Sequence, residues 1–215
     1  MIRKYRKTLI VTTLVTLLPV LAGLLLWNRL PEMLVSHWGA SGQPDGTTSR
    51  GFAVFGQPLL LLLIQWLCIL ATSLDPRNRD QSRKPLMLVL WIIPLTSNLI
   101  ALMMYATALG MPFSPIRLLV GAFGLLFLVI GNYLPKCTPN STLGIRIPWT
   151  HASNENWVAT HRFCGKVWVI GGIVILLSIF LPVSVVCYAL LAELAGMILL
   201  PVVYSYRFHR RSASR

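Results

Sequence analysis

The sequence predicts an all-α, polytopic membrane protein with about six spanning helices and both termini on the cytoplasmic side. Three observations carry this. Hydrophobic residues make up 55% of the 215-residue chain and charged residues only 12%, too little charge to cover a soluble domain of this size. The apolar residues fall in runs long enough to cross a hydrocarbon core of about 30 Å. The basic residues concentrate on alternate connections between those runs.

The runs place spans at 8–27, 52–72, 86–109, 115–134, 160–181 and 184–204. The first follows Arg3, Lys4, Arg6 and Lys7, as a signal peptide would. It is too long for an export signal's apolar region and lacks a small-x-small cleavage site, so it reads as a retained helix. From Val167 to Tyr204 the chain is almost continuously apolar. One helix of that length would reach about 55 Å at 1.5 Å per residue, so Pro182-Val183-Ser184 is read as a break between two spans. No stretch of soluble-domain length separates the runs, and 1–215 reads as a single membrane domain.

Charge tests that layout. With the N-terminus inside, the inner side carries Arg3, Lys4, Arg6, Lys7, Arg77, Arg79, Arg83, Lys84, Lys136, Arg146, Arg162, Lys166, Arg207, Arg210, Arg211 and Arg215. The outer side carries Arg29, Arg50 and Arg117, so 16 of 19 basic residues lie inside. The net charge of +13 is thereby explained as a topology signal, and direct nucleic-acid binding is not expected.

Two polar loops remain. The outer one, 29–51, contains His37, Trp38, Gly42, Pro44, Asp45 and Gly46. Its glycines, prolines and Asp-Gly step mark tight turns. Trp38 suits the headgroup layer, and His37 with Asp45 offers proton or metal chemistry, although two ligands are too few for a metal site. A folded cap with His37 hydrogen-bonded is the preferred reading.

The inner loop, 135–159, and its flanks contain Asn132, Pro135, Lys136, Asn140, Gly144, Arg146, Pro148, Trp149, Glu155, Trp157, His161 and Gly165. Its prolines exclude a continuous helix through the first half. Ser153 or Asn154 can cap a new helix, with Glu155 against its N-terminal dipole. Trp157, His161, Cys164 and Trp168 then form one stripe, read as packing surface. Arg146 beside Trp149 could hold a phosphate, a carboxylate or an acidic partner, or simply meet lipid headgroups. Cys137, His151, His161 and Cys164 invite a zinc hypothesis, but their spacing matches no common structural zinc pattern. No metal or cofactor is expected.

Within the membrane, Glu193 is the ionisable residue that asks for a role. It shares a helical face with Ala189, Ala192 and Gly196, which would admit close helix contact and turn it into the bundle, toward Gln65, Ser97 or Asn98.

The stretch from His37-Trp38 to Gly42-Gln43-Pro44-Asp45-Gly46 resembles the extracytoplasmic motif of SdpI-type bacterial membrane proteins. So, more closely, does Gly131-Asn132-Tyr133-Leu134-Pro135-Lys136, followed by Pro139-Asn140, Gly144-Ile145-Arg146 and Pro148-Trp149-Thr150. Glu155, Trp157, Thr160-His161 and Gly165-Lys166 continue the match. The resemblance covers nearly the whole chain. It implies immunity against a secreted, membrane-active toxin peptide, with the outer loop facing the peptide. It further implies that the inner loop holds a cytoplasmic repressor as a signalling partner, beside the lipid that any span must contact. Two other readings stay open beside this preferred one: a membrane-embedded enzyme, metal-dependent or using His37 with Asp45 or His161 with Glu155 as acid and base, and a small ion-coupled transporter built on Glu193.

Overall fold

A computed structural model describes residues 2–80 and 83–213, without the side chains of Arg79, Asp80, Arg83 and Ala213. Of the basic residues assigned to the inner side, Arg215 and the side chains of Arg79 and Arg83 therefore lie outside the described residues.

Among the described residues the regular structure is helical apart from one two-stranded hairpin. Helix α1 runs Arg6–Leu25, then strands β1 (Met33–Trp38) and β2 (Pro44–Ser49) pair antiparallel. A π-helical turn at Phe52–Gly56 leads into α2 (Gln57–Leu74), followed by α3 (Arg83–Ala108) and α4 (Pro115–Tyr133). A short α5 (Pro148–Ala152) precedes α6 (Asn154–Ser178) and α7 (Val183–Ala213). Six of these segments are long and apolar enough to cross a membrane. The sixth of them begins at Val183, directly after Pro182. The fifth starts at Asn154 rather than near residue 160, so the segment expected as inner loop to 159 is partly helix. The reason is local: Ser153 accepts a hydrogen bond from the Asn156 amide at 3.2 Å and caps the helix before hydropathy rises.

Contacts divide the chain into two compact units, Met1–Leu74 with Met87–Leu119, and Asp75–Leu86 with Val120–Arg215. In the first, α1, α2 and α3 are joined by polar groups buried among apolar ones. Gln65 donates to the Thr12 hydroxyl at 3.1 Å and accepts from the Thr16 hydroxyl, and Ser97 donates to the Thr16 carbonyl at 3.0 Å. Pro19 has no N–H to give the Val15 carbonyl one turn earlier. Asn98 of α3 supplies the missing donor, its Nδ2 lying 2.8 Å from that oxygen. The π-helical turn creates a similar vacancy. In its wider register the Ala53 carbonyl would be met by residue 58, which is proline, and the Tyr105 hydroxyl lies between that oxygen, at 3.4 Å, and the nearer Pro19 carbonyl, at 3.2 Å. A cluster of Leu30, Leu34, Ala53, Val54, Ala101, Met104 and Tyr105 closes this unit beneath the hairpin.

In the second unit α4 and α6 meet through glycines. A methyl on Gly165 would lie 2.7 Å from the Gly131 carbonyl oxygen, and one on Gly172 would lie 2.8 Å from that of Gly124. Seven residues separate the glycines on each helix, which keeps both contacts on one seam. Pro201 of α7 leaves the Met197 carbonyl without its helical donor, and the Trp168 indole N–H of α6 reaches it at 3.0 Å. The small-residue face of α7 is not used in this way: Ala192 is exposed and Gly196 has no atom within 4 Å of an added methyl.

These donors make a testable contrast. Asn98→Ala should lower stability in detergent micelles by about 1–2 kcal/mol, because it leaves the Val15 carbonyl without a donor. Thr96→Ala should cost under about 0.5 kcal/mol, since that hydroxyl bonds only the Ile92 carbonyl of its own helix. Unfolding followed by circular dichroism reads both, and equal losses would sink the interpretation.

Candidate functional site

The hairpin rests on its base. Leu30 and Leu34 are buried, Trp38 is half-buried against the same cluster, and the Arg50 amide donates to the Glu32 carbonyl at 2.8 Å. The Arg50 guanidinium donates to the carbonyls of Trp27 and Leu30, both at 3.0 Å, and lies 4.4 Å over the Trp27 ring. That packing gives Trp38 a structural contact beyond the headgroup role its type suggested. At the tip, Gly42 has φ +79° and donates to the Gly39 carbonyl, while Gly39 donates to that of Gln43.

Between tip and base sits the pair that the sequence singled out. His37 stands opposite Gly46, and Trp38 opposite Pro44, with register irregularities on either side of His37. His37 Nδ1 is 2.5 Å from Asp45 Oδ1, yet both side chains are well exposed, 71% and 51%. A carboxylate only accepts, so the proton of this bond sits on Nδ1. Two glycines make room for the pair. A methyl on Gly46 would lie 3.0 Å from the His37 Cβ, and one on Gly39 would lie 2.9 Å from Asp45 Oδ2. Sequence reasoning found the turn residues and missed the strands, although Val35, Trp38, Thr47 and Thr48 carry β preference.

The second loop is organised around side chains that serve its own backbone. Asn140 is fully buried; its Nδ2 donates to the carbonyls of Thr138 and Leu143, and its Oδ1 accepts from the amides of Thr142 and Leu143. Gly144 takes φ +95°, and a methyl there would lie 2.4 Å from His161 Nε2. His161 is spoken for at both nitrogens: Nδ1 donates to the Trp157 carbonyl at 2.8 Å and Nε2 accepts from the Ile145 amide at 3.0 Å. Trp157 stacks on it at 4.2 Å and donates to the Cys137 carbonyl at 2.9 Å. Thr150 donates to the Ile145 carbonyl at 2.8 Å.

Two anchors were not read from the sequence. Asp75 accepts from the amides of Arg77 and Ser141, and Asn78 donates to the Thr142 hydroxyl at 2.6 Å, so the link after α2 holds the loop. Asn156, almost fully buried, donates to the Ser205 carbonyl at 3.0 Å and accepts from the Ser205 hydroxyl at 2.7 Å, tying α6 to α7. An Asp-Pro step and a buried amide beside a helix start were the available signals.

The remaining residues of the motif take varied positions. Pro135 packs at Gly165, Pro148 opens α5, and Trp149 meets the Tyr206 ring at 5.1 Å. Arg146 is exposed, its guanidinium donating to the Ser141 carbonyl. Asn132, Glu155 and Lys136 are exposed, the last 4.9 Å over the Tyr133 ring. Of the four residues weighed for zinc, His161 has no free nitrogen, and burial pushes the Cys137 thiol up to about 11, away from the thiolate a metal needs. Among the described residues no three His, Cys, Asp or Glu side chains are gathered for a metal. Glu193 is half-buried beside Gly171. Gln65, Ser97 and Asn98, expected as its partners, instead direct their donors to α1.

Comparison with known proteins agrees with the motifs. A family model described as the SdpI/YfhL protein family matches residues 136–205, and one described as a domain of unknown function matches residues 14–62. The chain is 24% identical over 208 residues to the immunity protein SdpI of Bacillus subtilis (strain 168), covering 94% of this chain and 96% of that protein. No solved structure matches.

The loop geometry predicts different costs for two glycines of positive φ. Gly144→Ala meets both strain and the His161 ring, and should destabilise by about 2–4 kcal/mol. Gly110→Ala, at φ +67° with nothing within 4 Å, should cost only about 1 kcal/mol. Matched unfolding midpoints would refute the packing of Gly144 on His161.

Proposed function

Starting from a multi-pass bacterial membrane protein similar to SdpI-type proteins over nearly its whole length, we propose that the chain is an SdpI-like immunity protein. It protects the cell that makes it against a secreted, membrane-active toxin peptide. The hairpin at 33–49 faces outward and meets the peptide. The loop at 135–153 faces the cytoplasm, where its exposed Lys136 and Arg146 suit an acidic surface such as that of a sequestered repressor.

The observation that carries this reading is the His37–Asp45 pair. A solvent-exposed ion pair adds roughly 0–1 kcal/mol to stability. Yet two glycines and two register irregularities accommodate this one. Stability is a poor reason for that construction, and presentation to a ligand is a better one. Binding is favoured over turnover because no further side chain is hydrogen-bonded to the pair among the described residues, and because His161, the other acid–base candidate, is committed to backbone.

The test is protection. Expressed in a bacterium sensitive to a secreted killing peptide, the wild type should preserve membrane potential and raise survival at least about tenfold. His37→Ala, at equal membrane level, should lose most of that. Arg146→Ala should keep protection and lose any toxin-dependent signal. A well-expressed wild type that protects against none of several such peptides would overturn the proposal.

A further inference from the structure

The chain enters α1 through its densest run of positive charge. Arg3, Lys4, Arg6 and Lys7 stand close together, and the first carboxylate in the sequence is Glu32, beyond the far end of that helix. Lys4 lies over the Tyr5 ring, its Nζ 5.5 Å from the centroid. The Arg6 guanidinium has neither an ion pair nor a hydrogen bond among the described residues. Arg6 also borders a groove. Gln65 of α2 is turned to α1, where it bonds Thr12 and Thr16, and this sets its neighbour Trp66 at the edge of the seam between the two helices. Between Trp66 and the exposed side of α1 lies an open groove of about 240 Å³. Leu9, 3% exposed, is its floor, and Ile2, Ile10 and Leu14 complete a lining that is apolar except at Arg6 and Thr13. From Arg6 to Leu14 the groove follows α1 for about 12 Å at 1.5 Å per residue, most of the roughly 15 Å of hydrocarbon in half a bilayer. The cation thus sits where the span meets water, and the apolar part runs toward the middle of the membrane.

We propose that this groove is a site for an anionic phospholipid, with one acyl chain lying along Leu9, Ile10 and Leu14 against Trp66 and the headgroup phosphate held by Arg6. The two ends of the groove match the two ends of such a lipid. A guanidinium presents a planar fork of donors that suits phosphate oxygens, and this one has no acceptor of its own to give up. Arg3, Lys4 and Lys7 add attraction from a segment without a carboxylate. A zwitterionic lipid fits the apolar part equally well but brings its own cation beside Arg6, so the preference rests on the net charge of the headgroup. Lys7, one residue along the helix, does not line the groove, which separates a site at Arg6 from a diffuse pull of the whole basic segment. The assignment stands apart from the immunity reading and from which loop meets a peptide.

The full chain in phosphatidylcholine nanodiscs tests this through Trp66. A small, equal fraction of the lipid is replaced by phosphatidylglycerol or by phosphatidylcholine carrying bromine on the acyl chain. Bromine quenches a tryptophan that it touches, so the signal reports a chain lying in the groove. Pairing each protein with its Trp66→Phe form isolates Trp66 from the other tryptophans. In the wild type the phosphatidylglycerol probe should quench Trp66 as though bound roughly two- to fivefold more tightly than the phosphatidylcholine probe. Arg6→Gln should bring that ratio to about one, with quenching by phosphatidylcholine unchanged. Lys7→Gln removes the same charge off the groove and should keep most of the preference. Equal quenching by the two probes in the wild type, or a preference that survives in Arg6→Gln, would overturn the inference. So would equal losses in Arg6→Gln and Lys7→Gln, which would assign the preference to the basic segment as a whole.

Discussion

Hydrocarbon offers no hydrogen bonds, so every backbone carbonyl released from its helix must find a donor inside the protein. That constraint explains side chains which would otherwise look misplaced. Asn98 serves the carbonyl that Pro19 leaves open, and Trp168 serves the one left by Pro201. The Tyr105 hydroxyl is shared between the Pro19 carbonyl and the vacancy made by the π-helical turn and Pro58. In each case a polar group that would burden an apolar helix is placed where another helix has a vacancy. The same donors fix which helices are neighbours, so satisfying the backbone also specifies the packing. Glycines then set the separation: Gly124 and Gly131 admit Gly172 and Gly165 at distances no side chain would permit.

The two motif regions are built by opposite strategies. In the second loop the chemistry of the motif turns inward. Asn140 has its amide taken up by loop backbone, His161 both its nitrogens, and Thr150 its hydroxyl, so these residues define a shape. What that shape displays is Arg146, Lys136 and the ring of Trp149 against Tyr206. In the hairpin the shape is made by glycine, proline and a buried leucine, and the histidine and carboxylate are left exposed. Motif residues of the same type therefore differ in placement: His161 is buried and bonded to backbone at both nitrogens, and His37 is exposed with Asp45 beside it.

The number of spans was legible because hydropathy and charge asymmetry report on the solvent each segment faces, and six segments emerged in the structure. Helix ends were less legible. Hydropathy places the start of the fifth span near residue 160, while the cap at Ser153, which the sequence did offer, starts α6 at Asn154. Strands β1 and β2 were hidden because so short a hairpin exposes most of both strands and leaves no clean alternation of apolar and polar residues. The pairing of His37 with Asp45 could be suspected from one loop holding both. The partners of Asn98, Trp168 and Asn156 could not, since each lies on another helix, 29 to 83 residues away in sequence. A small-residue face such as that of α7 shows only that close packing is possible, and within this unit the glycines of α4 and α6 are where it occurs.

The capped kinks impose an order on how this chain can diverge. Replacing Pro201 by an ordinary residue restores the helical N–H and makes the Trp168 indole redundant, after which that position can drift. Losing Trp168 first leaves an open carbonyl in lipid while the proline remains. The same asymmetry governs Pro19 and Asn98. Each pair therefore behaves as a one-way gate in sequence space. Descendants that have lost the proline alone, or both members, are accessible in single tolerated steps, whereas lineages that retain the proline without its donor should be rare.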